Sequence, residues 1–138
     1  MQYLLVIILV LIVYLYIAYI RRFYLNYLIN LLKDQEYHRF KTKLKHFITP
    51  FFIEPFIIDL LGFNCAILEN DKHSIEVYLD IFTKRNLKEH ERIEIYTKAF
   101  KYYLLLKDRS KIEEYYLLLK TYNLKEIEEL YLKYKDSI

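Results

Sequence analysis

The side chains of this chain that could do chemistry are few and scattered. Four histidines, His38, His46, His73 and His90, fall at no metal-ligand spacing, and none sits in an H-E-x-x-H arrangement. Cys65 is the only thiol, so it can form neither an intrachain disulfide nor a paired-cysteine zinc site. It lies in an apolar stretch and reads as a small core residue. A single glycine, Gly62, excludes a glycine-rich phosphate loop. Ser74, Ser110 and Ser137 lack a nucleophile elbow. The acidic pairs Glu113-Glu114 and Glu128-Glu129 fall on helix faces expected to be solvated, where Lys neighbours pair with them. The expectation is a protein with no catalytic activity, no metal and no cofactor.

What stands out instead is charge beside an apolar segment. Residues 1–20 read MQYLLVIILVLIVYLYIAYI and contain no charged side chain. Arg21 and Arg22 end the run. Twenty helical residues span roughly 30 Å, the thickness of a bilayer's hydrocarbon core. Tyr14, Tyr16 and Tyr19 crowd one end, where amphipathic rings suit the headgroup level. A cleaved signal peptide would carry a basic start, a shorter apolar core and a small-residue cleavage site. The segment is therefore expected to be a single transmembrane helix. Arg21 and Arg22, with Lys33, Arg39, Lys41, Lys43 and Lys45 beyond them, give a basic side with nothing basic preceding the helix but the α-amino group. The positive-inside rule then puts the N-terminus outside and residues 21–138 in the cytoplasm. Arg21, Arg22, Arg39, Lys41, Lys43 and Lys45 are candidate contacts to anionic headgroups of the bilayer.

Beyond the apolar segment, basic and acidic side chains nearly balance. That argues against a nucleic-acid partner, which would require a strongly basic face. One Gly and two Pro leave little material for hairpin turns, and apolar residues recur at helical spacing, so the chain is expected to be all-α.

A shift of 37 residues lays the chain on itself: Leu31, Leu68 and Leu105 align, then Asp34, Asp71 and Asp108. Asn86-Leu87-Lys88-Glu89 aligns with Asn123-Leu124-Lys125-Glu126, and Thr49 falls in the same column as the two asparagines. Thr49, Asn86 and Asn123 are expected to cap helix starts, with Ser110 and Glu113 forming a further capping box. The helices expected are 21–33, 36–47, 50–70, 73–85, 87–107, 111–122 and 124–135. Pro55 must either kink the third or make it start late.

The stretch Ile58-x-x-Leu61-Gly62-x-x-Cys65, followed by Ser74, Tyr78 and Ile81, resembles a tetratricopeptide repeat, with Ala99 and Tyr102 in the corresponding places of the next copy. The departures are the absence of Trp, a period longer than 34, and bulky Tyr37 and Lys111 where a small residue belongs. The resemblance covers about residues 22–130. It implies a TPR-like α-solenoid of about three 37-residue repeats plus a capping helix, whose first helices line a concave face for a peptide or partner helix. The positions it assigns to that face include Asn26, Asn30, Asp59, Phe63, Tyr96, Phe100 and Tyr103. The function expected is a membrane-anchored scaffold or adaptor for a protein or peptide partner. The alternative is a small accessory subunit of a larger membrane complex, such as a transporter or secretion assembly.

Overall fold

The computed structural model describes residues 1–138 as eight helices without a strand. They are α1 (Gln2–Lys33), α2 (Tyr37–Leu44), α3 (Thr49–Phe52), α4 (Pro55–Leu68), α5 (Lys72–Thr83), α6 (Glu89–Leu106), α7 (Arg109–Lys120) and α8 (Lys125–Asp136). The chain forms two compact units, Met1–Tyr78 and Leu79–Ile138.

In the first unit the apolar segment and the first bundle helix are one uninterrupted 32-residue helix. None of its most apolar window is buried within the fold, so it is no core helix of a soluble domain. It is long and apolar enough to cross a membrane. Its far end is buried: Leu28, Leu31 and Leu32 pack with Phe40, Leu44, Ile53, Leu61 and Cys65. Burying a Leu or Phe of this kind contributes about 1.5–3 kcal/mol, and this cluster holds α2, α3 and α4 to α1.

The expected helix 50–70 is two helices. Ile53 and Glu54 are extended, and Pro55 takes the first position of α4, where its missing N–H costs nothing. Of the two outcomes open for Pro55, the late start is the one adopted. Thr49 does not cap. It lies inside α3, fully buried, with its hydroxyl 2.7 Å from the Lys43 carbonyl and 2.9 Å from the Tyr24 hydroxyl.

The turns repeat more faithfully than the caps do. α1, α4 and α6 each end on a left-handed residue, Gln35 (φ 59°), Asn70 (φ 54°) and Lys107 (φ 56°). In each, the following N–H reaches back to the helix: Glu36 to Leu31 O, Asp71 to Ala66 O and Asp108 to Tyr103 O. The left-handed residue's own N–H goes to Leu32 O, Ile67 O and Leu104 O respectively. These are three Schellman endings. The second and third stand 37 residues apart, as the alignment expects. The first is offset by two, so Glu36 and not Asp34 is the counterpart of Asp71 and Asp108.

Asp71 and Asp108 then start the next helix. Asp71 Oδ1 accepts from the Ser74 N–H at 3.2 Å, and Asp108 Oδ1 from the Lys111 N–H at 3.2 Å. The cap of α7 is thus Asp108, not Ser110. Nor does Asn86 cap α6; the helix starts after Lys88, whose N–H donates to Glu91 Oε2 at 2.8 Å. Asn123 is left-handed (φ 51°), and Leu124 precedes α8.

The second unit packs α6 on α7 through tyrosines. Tyr103 stacks on Tyr115 with ring centres 5.7 Å apart, and Tyr96 lies 6.0 Å from the same ring. Ile95, Ala99, Phe100, Ile112 and Leu119 are fully buried around them. α8 docks on α7 through Tyr131 against Tyr116.

Candidate membrane-facing site

One stripe of α1 runs from Tyr14 to Leu32 along one face: Tyr14, Ile17, Ala18, Arg21, Leu25, Leu28 and Leu32. Its upper half is closed by the bundle. Lower down, Tyr14, Ile17, Ala18, Arg21, Arg22 and Leu25 face Phe52, Ile53, Glu54 and Ile57 across an open groove of about 510 Å³. The groove is apolar along its floor and carries two guanidinium groups and one carboxylate. Neither arginine has an ion-pair partner in the chain.

The corner that walls the groove is pinned to α1. The Tyr24 hydroxyl lies 3.3 Å from Lys43 O and 2.9 Å from the Thr49 hydroxyl, and either hydroxyl can donate to the other, while the Tyr24 ring lies 5.9 Å from Phe52. Tyr24 is one turn beyond Arg21, so α3 is held at the level where the apolar segment ends. Residues around this corner leave large side chains in solvent: Phe47 is 75% exposed, Phe51 71% and Phe23 65%. Nothing in the sequence around them marks these rings as exposed, because phenylalanines in a helical chain ordinarily serve as core.

The basic run does not form one face. Arg39, Lys41, Lys43 and Lys45 alternate by two residues, and two residues on a helix turn by roughly 200°. Arg39 and Lys43 therefore flank one side of the buried Phe40–Leu44 seam, and Lys41 and Lys45 the other. Arg39 pairs with Glu36 at 2.5 Å, and Lys41 with Glu69 at 2.5 Å. Hydrogen bonding by these carboxylates raises the pKa of both bases. Lys43, Arg21 and Arg22 stay exposed.

A smaller cavity of about 270 Å³ lies behind α2, lined by Phe40, Lys41, Lys45, Gly62, Cys65, Glu69, Ser74 and Tyr78, among others. The Cys65 thiol lies 3.8 Å from Glu69. Burial, then the Glu69 charge, pushes its pKa up to about 11, which leaves it a poor nucleophile. No three His, Cys, Asp or Glu side chains converge in a way that could hold a metal ion.

The concave-face candidates divide by exposure. Asn26 and Asn30 are exposed on one side of α1, and Asp59 and Tyr96 are partly exposed. Phe63, Phe100 and Tyr103 are 0–1% exposed and lie inside the fold. No family model, curated protein or solved structure matches this chain.

Proposed function

We propose that this chain is a single-pass membrane protein whose helical part, on the cytoplasmic side, recruits a protein or peptide partner and performs no chemistry. The observation that carries the reading is the unbroken passage of α1 from a wholly exposed apolar segment into a buried bundle helix. An anchor fits this better than a cleaved leader, whose cleavage site needs accessible extended chain. Here residues 20–33 are helical, and Leu28, Leu31 and Leu32 are needed by the core. Arg21, Arg22 and Lys43, exposed just past the segment, support the cytoplasmic side for the bundle.

The TPR-like reading of the bundle is supported by the recurring Schellman-to-cap turns and by Gly62, where a side chain would run into the Tyr78 ring. On this reading the partner meets Asn26, Asn30 and Asp59 of the first unit, and tethering raises its effective concentration at the membrane. Affinity capture from solubilised membranes should return one stoichiometric protein, and recovery should fall when Asn26 and Asn30 are replaced by Ala. Repeated capture of none would refute the scaffold. Protease protection tests the side: the C-terminal helices should be cut in inverted vesicles and spared in intact cells.

The accessory-subunit reading has one observation of its own. The groove beside Tyr14, Ile17 and Ala18 is open and apolar at membrane level, a shape that a neighbouring transmembrane helix would fill. Exchanging residues 1–20 for an unrelated membrane helix should abolish assembly of a subunit and leave a scaffold working.

A further inference from the structure

We propose that the corner joining α2 to α4 is a foot that dips Phe47, Ile48 and Phe51 into the interface of the same bilayer that α1 crosses, beneath headgroups held by Arg21, Arg22 and Lys43. The inference rests on the reading of α1 as a membrane span. It adds a second, non-spanning contact with lipid.

Depth carries the argument. Thr49 is fully buried and bound to both Tyr24 of α1 and the Lys43 carbonyl, so α3 cannot slide along the helix. Tyr24 lies three residues past Arg21, about 4.5 Å along the axis. Phe52, Ile53 and Glu54 line one groove with Arg21, Arg22 and the last turns of the apolar segment, Tyr14 to Ala18. Once residues 2–20 occupy the hydrocarbon, α3 lies in the headgroup layer. The side chains that it and its preceding loop leave uncovered there are aromatic and aliphatic: Phe47, Phe51 and, on the rim, Ile48. In water two exposed phenylalanines in a five-residue stretch are a liability. At an interface they are the apolar face of a monotopic contact, buried about 5–10 Å deep.

Charge agrees with this placement. Arg21 and Arg22 have no ion-pair partner in the chain, and Lys43 is exposed beside the pinned corner. Basic groups near an anionic leaflet are drawn to it. The occupant of the surface is therefore lipid, with acyl carbon against the rings and phosphate above them.

The chain contains no tryptophan, which makes the test direct. Single-Trp variants of the full chain, Leu11→Trp, Lys33→Trp, Phe47→Trp and Phe51→Trp, all at exposed positions, are reconstituted in vesicles of zwitterionic and anionic phospholipid. Quenching is read with lipids carrying a spin label either near the headgroup or deep in the acyl chain. The probes at 47 and 51 should shift to shorter wavelength and be quenched more by the shallow label than by the deep one. The probe at 11 should show the reverse order, and the one at 33 should be quenched by neither. An unquenched probe at 11 would overturn the span and the foot together. A quenched probe at 11 with those at 47 and 51 behaving like 33 would overturn the foot alone. A blue shift at 47 or 51 that grows with protein-to-lipid ratio without quenching would assign the surface to a second copy, and it too would overturn the proposal.

Discussion

Tyr116 of α7 and Tyr131 of α8 lie ring on ring, 3.5 Å between centres and 4° from parallel, and each hydroxyl reaches a glutamate on the other helix. Tyr131 donates to Glu113 at 2.6 Å and Tyr116 to Glu128 at 3.2 Å, with Lys135 closing on Glu113 at 2.8 Å. Apart from Ile127, α8 has no fully buried side chain, so this reciprocal clasp, that one residue and the 2.6 Å pair of Glu126 with Lys101 of α6 hold it docked.

The clasp makes the docking of α8 sensitive to pH at both ends. Hydrogen bonds from Lys135 and Tyr131 hold the Glu113 pKa below its ordinary 4.5. That stabilisation is present above pH 4.5 and is lost as pH falls through the depressed native value. The Tyr116 and Tyr131 pKa values are raised above 10, chiefly by burial and then by the glutamates. Their contribution is present below pH 10 and is lost as pH rises through the raised values. Protection factors of the α8 amides against hydrogen exchange should fall below about pH 4 and above about pH 10, before those of the α6–α7 amides do. Tyr131→Phe should cost about 1 kcal/mol near neutrality and flatten the alkaline loss, because the ring then has no hydroxyl to ionise.

Gly62→Ala should destabilise the first unit by about 1–3 kcal/mol. The new Cβ would meet the Tyr78 hydroxyl and ring, with Cε1 at 3.0 Å, and the half-buried ring must swing out to make room. In a double-mutant cycle with Tyr78→Leu, the combined cost should fall below the sum of the single costs. Additive costs measured by thermal denaturation would mean that the two residues do not meet.

Thr49→Val should cost about 1–3 kcal/mol, because it removes the 2.7 Å bond to the Lys43 carbonyl and the 2.9 Å bond to Tyr24, leaving only the longer 3.3 Å contact between those two. Thr49→Ser should keep most of the stability. In reconstituted protein Thr49→Val should also raise proteolysis within residues 45–54 above that of wild type, since the corner is then unpinned from α1. Unchanged cleavage would show that packing of Phe52 and Ile53 holds it unaided.

Cys65 should alkylate slowly near neutrality, with a rate that rises about tenfold per pH unit toward its pKa of about 11. Glu69→Gln removes the second cause of that raised value and also frees Lys41 from its ion pair. The rate at pH 8 should therefore increase in this variant. A pH-independent rate would mean that opening of the fold, and not thiol ionisation, limits the reaction.

The features legible in the sequence were those that depend on near neighbours only. The apolar run and the helical spacing come from residues within a turn or two of one another, and the Asp71–Asp108 recurrence from one such local turn met twice, 37 residues apart. Capping is not legible in the sequence because the residue types involved serve two purposes. Asn is favoured both before a helix and in the left-handed position after one, and Asn123 takes the second role. Ser110 was outcompeted by Asp108 two residues earlier, and Thr49 was drawn into a tertiary bond that no local pattern signals. The basic run read as one patch because spacing along the chain hides the half-turn between alternate residues. Phe47 and Phe51 carried no signal until the fold brought their corner beside Arg21.

The absence of any joint between the apolar segment and the bundle makes α1 a rigid shaft. A flexible linker would let the helices packed on it sample every heading; this one fixes them in height and azimuth. Inserting a single residue after Arg22 would raise α2, α3 and α4 by about 1.5 Å and swing them by about 100° around the shaft. Twist or piston motion of the helix within a membrane would be delivered to the core at Leu28, Leu31 and Leu32 undamped, so whatever grips the shaft at one end also steers what the other end presents.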